Sequence, residues 1–231
     1  MKSYPKVWFL RHGETEWNAE GRVQGQTESV LSERGKVHAQ QQAELMAPIL
    51  AHNPPCIVSP LKRTRQTADI ALGGRDYQTD DRLKEIFAGD WEGHLRADIF
   101  KNLPEGITAQ SPHMEFYCAA PGGEGFDVFQ ARVNAFVDTL TEPTVVVAHG
   151  LSGQLLRGAL CGLSRAALGQ LSNRQGCVYV LENGQESVLA VDGHDRDDAP
   201  LHRGRHRLRV DRRKLGRAVP ARRPHRPRVG P

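Results

Sequence analysis

Two short apolar runs, each ending on a histidine followed by a glycine, limit what this chain can fold into more than any other feature. Val7 to Leu10 leads into Arg11-His12-Gly13, and Thr144 to Ala148 leads into His149-Gly150. Apolar runs this short, partly β-branched or aromatic and bounded by polar residues, read as strands buried on both faces. Such strands belong to parallel sheets covered by helices. Ligands of those sheets bind beyond the carboxyl ends of the strands. Two distant segments therefore deliver imidazoles to the edge where a ligand site is expected.

The remaining pattern fits the same architecture. Ser32 starts a long helix with Glu33 in its first turn and Val37, Leu45, Met46, Ile49 and Leu50 as candidate core positions, and Pro54-Pro55 stops it. Cys56-Ile57-Val58 reads as a second buried strand, and Ser59-Pro60 opens a helix that runs through Ala71 to Gly73-Gly74. Phe126 to Leu140 has helical spacing, and Leu151 to Leu160 continues as a helix after the second histidine. Cys177 to Leu181 and Val188 to Val191 read as closing strands around the Asn183-Gly184 hairpin signal. Asp90 to Gly125 is irregular apart from a short helix near 97–101, and reads as a cap over one edge of the sheet. The expected fold is α/β: a three-layer sandwich with a mostly parallel sheet, helices on both faces and a small irregular cap.

Length allows one such domain and a tail. The net charge of +4 conceals a division. From Arg196 to Pro231 there are twelve Arg and one Lys against three Asp, which leaves 18 basic and 24 acidic side chains in the first 195 residues. The pI near 9 thus belongs to the end of the chain, and nucleic acid is not expected as a partner of the body. Residues 1–195 read as the catalytic domain. The segment 196–231 is too poor in apolar residues to offset ordering entropy, so it reads as a disordered tail. An electrostatic arm and a misread frame of a GC-rich gene stay open as alternatives. The four cysteines lack metal-type spacing and a dense disulfide pattern, as expected of free thiols in a reducing cytoplasm. No apolar stretch approaches the ~18 residues of a membrane span, so no membrane is expected as a partner.

Phosphoryl transfer needs an in-line nucleophile, fixed positive charge around the equatorial oxygens and a proton for the leaving alkoxide. Neutral imidazole can attack near pH 7, and arginine offers a permanently charged fork that matches phosphate. An Arg-His-Gly at a strand end supplies clamp and nucleophile together. A lone strand-end histidine is more often structural, so the wider context decides. Arg11 to Asn18 (RHGETEWN), Ser59 to Ala68 (SPLKRTRQTA), Glu85 with Gly89 to Gly93 (GDWEG), and Val145 to Gly150 (VVVAHG) resemble, in order, four motifs of the histidine phosphatase superfamily, the phosphoglycerate-mutase-like enzymes. The resemblance runs from about residue 5 to about residue 192.

What the resemblance implies is a phosphohistidine on His12, with Arg11 and Arg63 as phosphate clamps and His149 as a further donor to the phosphoryl oxygens. Glu85 would protonate the leaving group and then activate water. Asn18 and the Gly150 backbone would contact phosphate, and Gln24-Gly25 would lie near the substrate. Lys62 and Arg65 compete with Arg63 for the clamp role, and Glu14 and Glu92 compete with Glu85. No metal and no other cofactor is implied. Gly122-Gly123-Glu124-Gly125 reads as a turn, although the family carries a comparable turn near its site. Glu28 and Val30 depart from the Asp and Pro more usual in relatives, and the long tail is a larger departure.

A phosphatase acting on a small phosphorylated metabolite is the leading expectation, with a phosphoglycerate mutase and a catalytically silent phosphate-binding protein as alternatives. Mutases of the superfamily carry a longer, more basic insertion between the positions of Glu85 and His149. Here that interval holds only Arg96, Lys101 and Arg132 as basic side chains, which favours hydrolysis. Dimers are common among relatives, so a homodimer stays open.

Overall fold

The computed structural model describes residues 3–191 and the strand Arg207–Arg209. In chain order the elements are β1 (Val7–Arg11), α1 (Glu16–Glu20), α2 (Glu33–Leu50), β2 (Cys56–Val58), α3 (Lys62–Ala71), β3 (Gln78–Thr79), α4 (Arg96–Ile99), α5 (His113–Cys118), α6 (Gly125–Val137), β4 (Thr144–Ala148), α7 (Gly150–Cys161), α8 (Arg165–Leu168), β5 (Val178–Glu182), β6 (Gln185–Ala190) and β7 (Arg207–Arg209). Short 3-10 turns occupy Asp81–Leu83 and Gly89–Trp91. The tail expected from Arg196 lies outside the described residues except for β7, which pairs in parallel with β6.

The sheet order is β3-β2-β4-β1-β5-β6-β7. β1, β2, β3 and β4 are mutually parallel, while β5 runs antiparallel to both β1 and β6. This is the mostly parallel α/β sheet the sequence predicts. Alternation along the buried strands feeds two separate cores. Val7, Phe9, Val146 and Ala148 face one cluster, completed by Phe129, Val133 and Phe136 of α6 and Leu151, Leu155 and Leu156 of α7. Leu10, Val145 and Val147 face the other, against Leu45, Met46 and Leu50 of α2 and Ala68 and Ala71 of α3. β4 is buried at every position, as a central strand covered on both faces must be.

Local chemistry explains most boundaries. The Ser32 hydroxyl caps α2 by accepting from Gly35 N at 3.0 Å. The β5–β6 hairpin turns on Asn183 and Gly184, with φ of 53° and 72°, the left-handed pair that a two-residue type I′ turn requires. Two expectations need correction. Val37 is exposed, because the buried face of α2 runs through Ala39, Gln42, Leu45, Met46 and Leu50. The strand β6 starts at Gln185 rather than Val188, since hairpin pairing recruits polar residues directly after the turn.

The cap is more ordered than its sequence suggests. Val23, Ala88, Trp91, Ile99, Phe116 and Ala120 form a core of their own, with Trp91 stacked on Phe116 at 4.6 Å between ring centroids. Among the described residues, no helix is long and apolar enough to cross a membrane.

α7 reaches the sheet through Gly153, where a Cβ would fall 2.2 Å from Phe9 Cζ. Phe9 cannot yield, being fully buried against Tyr179 and the cation of Arg157. Gly153→Ala would gain up to ~1 kcal/mol in helix propensity, but overpacking costs ~1–3 kcal/mol. The expected outcome is a net loss of stability of about 1 kcal/mol in urea unfolding.

Candidate active site

The site assembles where three adjacent parallel strands end. β1 pairs with β4 in the register Arg11↔Ala148, and His12 N donates to Ala148 O at 3.0 Å. On the other side of β4, Ser59 N donates to Val147 O at 2.9 Å. His12, His149 and Ser59 are thus brought level by sheet hydrogen bonds alone. The two imidazoles lie 5.3 Å apart, ring to ring, inclined at 62°.

The tautomer of each ring follows from its neighbours. His12 Nδ1 lies 2.7 Å from Gly13 O, and a carbonyl only accepts, so Nδ1 carries the proton. The lone pair of the neutral ring is then on Nε2. Gly13 is held by donation from its N to Thr67 Oγ1 at 3.0 Å, and a Cβ there would fall 2.2 Å from Gly35 O. Two backbones pass too closely at that point for any side chain. His149 is arranged the opposite way. Its Nδ1 accepts from Arg63 Nε at 3.1 Å, so its proton sits on Nε2, which donates to Ser59 Oγ at 2.7 Å.

Two guanidiniums flank these rings. Arg63, almost fully buried, donates from Nη1 to Thr27 O at 3.0 Å and from Nη2 to Gly25 O at 2.6 Å. Its competitors Lys62 and Arg65 are exposed on the far side of α3, as helical spacing requires. Arg11 donates to Asn173 O and lies against Gly150, whose added Cβ would meet Arg11 Nε at 3.4 Å. Arg11 Nε is buried with no hydrogen-bond partner. A buried unpaired donor on a cation is costly, and an anion beside it would satisfy it.

Glu85 enters from the loop between the two 3-10 turns. Its Oε2 accepts from Leu151 N at 3.0 Å and its Oε1 from Ser152 N at 2.9 Å. These are the first-turn amides of α7, which fix the orientation of the carboxylate. Glu92 is committed elsewhere: its carboxylate accepts from Gln26 N, Ala88 N and Thr27 Oγ1. Glu14 accepts from Ser32 Oγ at 2.9 Å. Both rivals of Glu85 therefore shape loops.

Arg11, His12, Asn18, Gln24, Gly25, Arg63, Glu85 and Gly150 line one small cavity of about 70 Å³. His149 is the exception, set one layer behind with both ring nitrogens engaged inside the protein. Asn18 Oδ1 and Gln24 Oε1 accept from Thr15 N and Thr15 Oγ1, which leaves their amide nitrogens as the polar ends for a ligand. The cavity also recruits His113, Tyr117 and Asn173, which sequence reasoning missed. The first two sit on α5, inside the stretch taken as irregular. Gly122-Gly123-Glu124 does not reach the cavity. A larger hollow of about 430 Å³ lies between β2, β3 and residues 139–144, but it is lined by neither histidine nor arginine. Among the described residues, no group of three or more His, Cys, Asp or Glu is arranged to hold a metal ion.

The electrostatics follow from burying four basic groups together. Burial, then the cations of Arg63 and Arg11, hold His12 well below the usual histidine range. Burial, Arg63 and His12 do the same to His149. Burial also lowers Arg63, to about 10, and Arg11, and both stay charged at neutral pH. The result is two fixed cations around two neutral imidazoles, a preformed receptor for an oxyanion with a lone pair inside it.

Comparison with known proteins identifies the family. Residues 7–192 match the histidine phosphatase superfamily (branch 1), and the chain belongs to that family. It is 32% identical over 182 residues to the adenosylcobalamin/alpha-ribazole phosphatase of Salmonella typhimurium, covering 74% of this chain and 87% of that one. It is also 32% identical over 196 residues to the Salmonella paratyphi B protein named "Probable phosphoglycerate mutase GpmB", covering 81% and 89%. Among solved structures, a mycobacterial glucosyl-3-phosphoglycerate phosphatase in complex with VO3 superposes with a TM-score of 0.62 at 29% identity, covering 76% and 92%.

A pH dependence of stability follows from the depressed histidines. In the unfolded chain, His12 and His149 bind protons near pH ~6.5, whereas the folded protein keeps them neutral further down. Their contribution is fully present above about 6.5 and is lost as pH falls toward the folded values. Urea midpoints should therefore drop between pH 6.5 and 5, and a His12→Asn/His149→Asn double variant should show a shallower slope. An unchanged slope would contradict the neutral pair.

Proposed function

We propose that the protein hydrolyses a small phosphomonoester through a phosphohistidine on His12. The observation that carries this reading is the joint exposure, in one cavity, of a ring nitrogen with a free lone pair, two buried guanidiniums and an oriented carboxylate. Arg11 and Arg63 bind the equatorial oxygens, with Asn18, Gln24 and the backbone at Gly25 and Gly150 around them. His12 Nε2 attacks phosphorus, the bond to the ester oxygen breaks, and Glu85 gives that oxygen its proton. Glu85 then takes a proton from water, whose oxygen displaces the imidazole and releases phosphate. We assign His149 to ordering Arg63 in the free enzyme, because its Nδ1 holds the Arg63 Nε–H until a phosphoryl oxygen competes for it. The family match over 7–192 supports 1–195 as the catalytic domain.

Mutase chemistry is the second reading, because one matched relative carries that name. Fixed cations are what hold the second acidic group of a phosphoglycerate. Arg132 commits all five of its N–H groups to protein acceptors, and Lys101 pairs with Asp98 at 2.7 Å on the surface. Neither cation is free for that group, which favours hydrolysis, although the charge of Arg96 acts on His113 and Tyr117 of the cavity. Incubation with 3-phosphoglycerate separates the readings: isomerisation without release of inorganic phosphate would overturn the proposal.

His12→Ala is expected to lower turnover by at least ~10³-fold. Glu85→Gln should lower kcat/KM for alkyl phosphates by about 10²–10⁴-fold and for p-nitrophenyl phosphate far less, since a good leaving group needs no proton in the step that kcat/KM reports. Equal losses on both substrates would remove Glu85 from the acid role.

A further inference from the structure

We propose that Arg132, on α6 and outside the cavity, is a positioning residue for the reaction, fixing Glu85 through its backbone. The inference rests on the reading of Glu85 as the acid and base.

Glu85 sits in irregular backbone between the turns Asp81–Leu83 and Gly89–Trp91, where no ladder supplies partners for its carbonyls. Arg132 supplies most of them, and Gln26 Nε2 adds a second donor to Glu85 O at 3.1 Å. Its Nη1 donates to Arg82 O at 2.8 Å and to Lys84 O at 2.7 Å. Its Nη2 donates to Glu85 O at 2.8 Å and to Glu124 Oε1 at 2.6 Å, and its Nε donates to Glu124 Oε2 at 2.9 Å. Glu124 then secures the other side of Glu85. Its Oε1 accepts from Phe87 N at 2.7 Å, and its own N donates to Phe87 O at 3.1 Å. One bidentate ion pair thus holds the chain before, at and after the catalytic carboxylate.

The strut is itself rigid. The guanidinium carbon of Arg132 lies 4.7 Å from the centroid of the Phe129 ring, which is fully buried in the core. The pair is largely withdrawn from water, with side chains 18% and 12% exposed. At the other end, Glu85 meets two amides of α7. The carboxylate is therefore fixed between α6, through the backbone, and α7, through the side chain. General acid catalysis is sensitive to such placement, since a misplacement of ~1 Å costs on the order of 10²-fold. Lysine, a single ammonium with three donors, cannot span three carbonyls and a carboxylate.

The test compares wild type, Glu85→Gln, Arg132→Lys, Glu124→Gln and the double variant Glu85→Gln/Arg132→Lys on p-nitrophenyl phosphate and on an alkyl phosphate, with competitive inhibition by inorganic phosphate as a measure of the clamp. Arg132→Lys is expected to lower kcat/KM on the alkyl ester by about 10- to 100-fold. On p-nitrophenyl phosphate it should change kcat/KM, which reports only the steps up to departure of the leaving group, little, and inhibition by phosphate should stay as in wild type. The double variant should be no slower than Glu85→Gln alone, because both changes remove one function. Should Arg132→Lys fail to fold, Glu124→Gln, which leaves Arg132 in place, should show the same bias at smaller amplitude. Equal losses on both substrates, weakened phosphate inhibition or additive losses in the double variant would overturn the inference while Glu85→Gln keeps its bias. Loss of bias in Glu85→Gln itself would instead overturn the acid reading.

Discussion

The parallel register of β1 on β4, five paired residues long, sets the geometry from which everything else follows. The register aligns Arg11 with Ala148, so the next residue on each strand is a histidine, and the two rings emerge side by side at the carboxyl edge. A slip of one residue would turn every side chain of β1 to the opposite face. The clusters containing Val7 and Phe9 on one face and Leu10 on the other oppose that slip with two cores at once. Packing thereby specifies the chemistry: the sheet cannot bury its apolar residues without bringing the imidazoles together.

Concentrating buried cations at this edge has an electrostatic consequence for the imidazoles. Burial in this water-poor pocket, and then the charges of Arg63 and Arg11, hold His12 and His149 well below the usual histidine range. The cations proposed to bind phosphate therefore also help keep the imidazole of His12 unprotonated. Hydrogen bonds to Gly13 O and from Arg63 Nε then decide which nitrogen of each ring is bare. The electrostatic cost of this arrangement is carried by the surrounding fold, through carbonyls at Gly25, Thr27 and Asn173 that accept from the guanidiniums.

Much of this could be read in the sequence, and the reasons differ by region. The buried strands and the strand-end motifs are visible because a central parallel strand is a continuous apolar run with an abrupt polar end. The choice of Arg63 over Lys62 and Arg65 needed motif alignment, and helical periodicity explains it. The position of His149 behind the cavity was not legible, since it depends on the orientation of a ring between Ser59 and Arg63. The ordered cap was missed because its core is built from residues scattered between Val23 and Ala120, with no period to detect. His113 and Tyr117 escaped for the same reason, and Arg132 looked like any helical arginine until its acceptors were seen.

The cavity draws its walls from every part of the domain: the end of β1, the loop after α1, the third helix, the segment at Glu85, the cap and the start of α7. None of these pieces can hold a ligand by itself. Turnover should accordingly appear late in folding and vanish early in denaturation, which makes it a sensitive reporter of the complete native state. It also means that a fragment ending before β4 would retain three of the four motifs without the complete receptor.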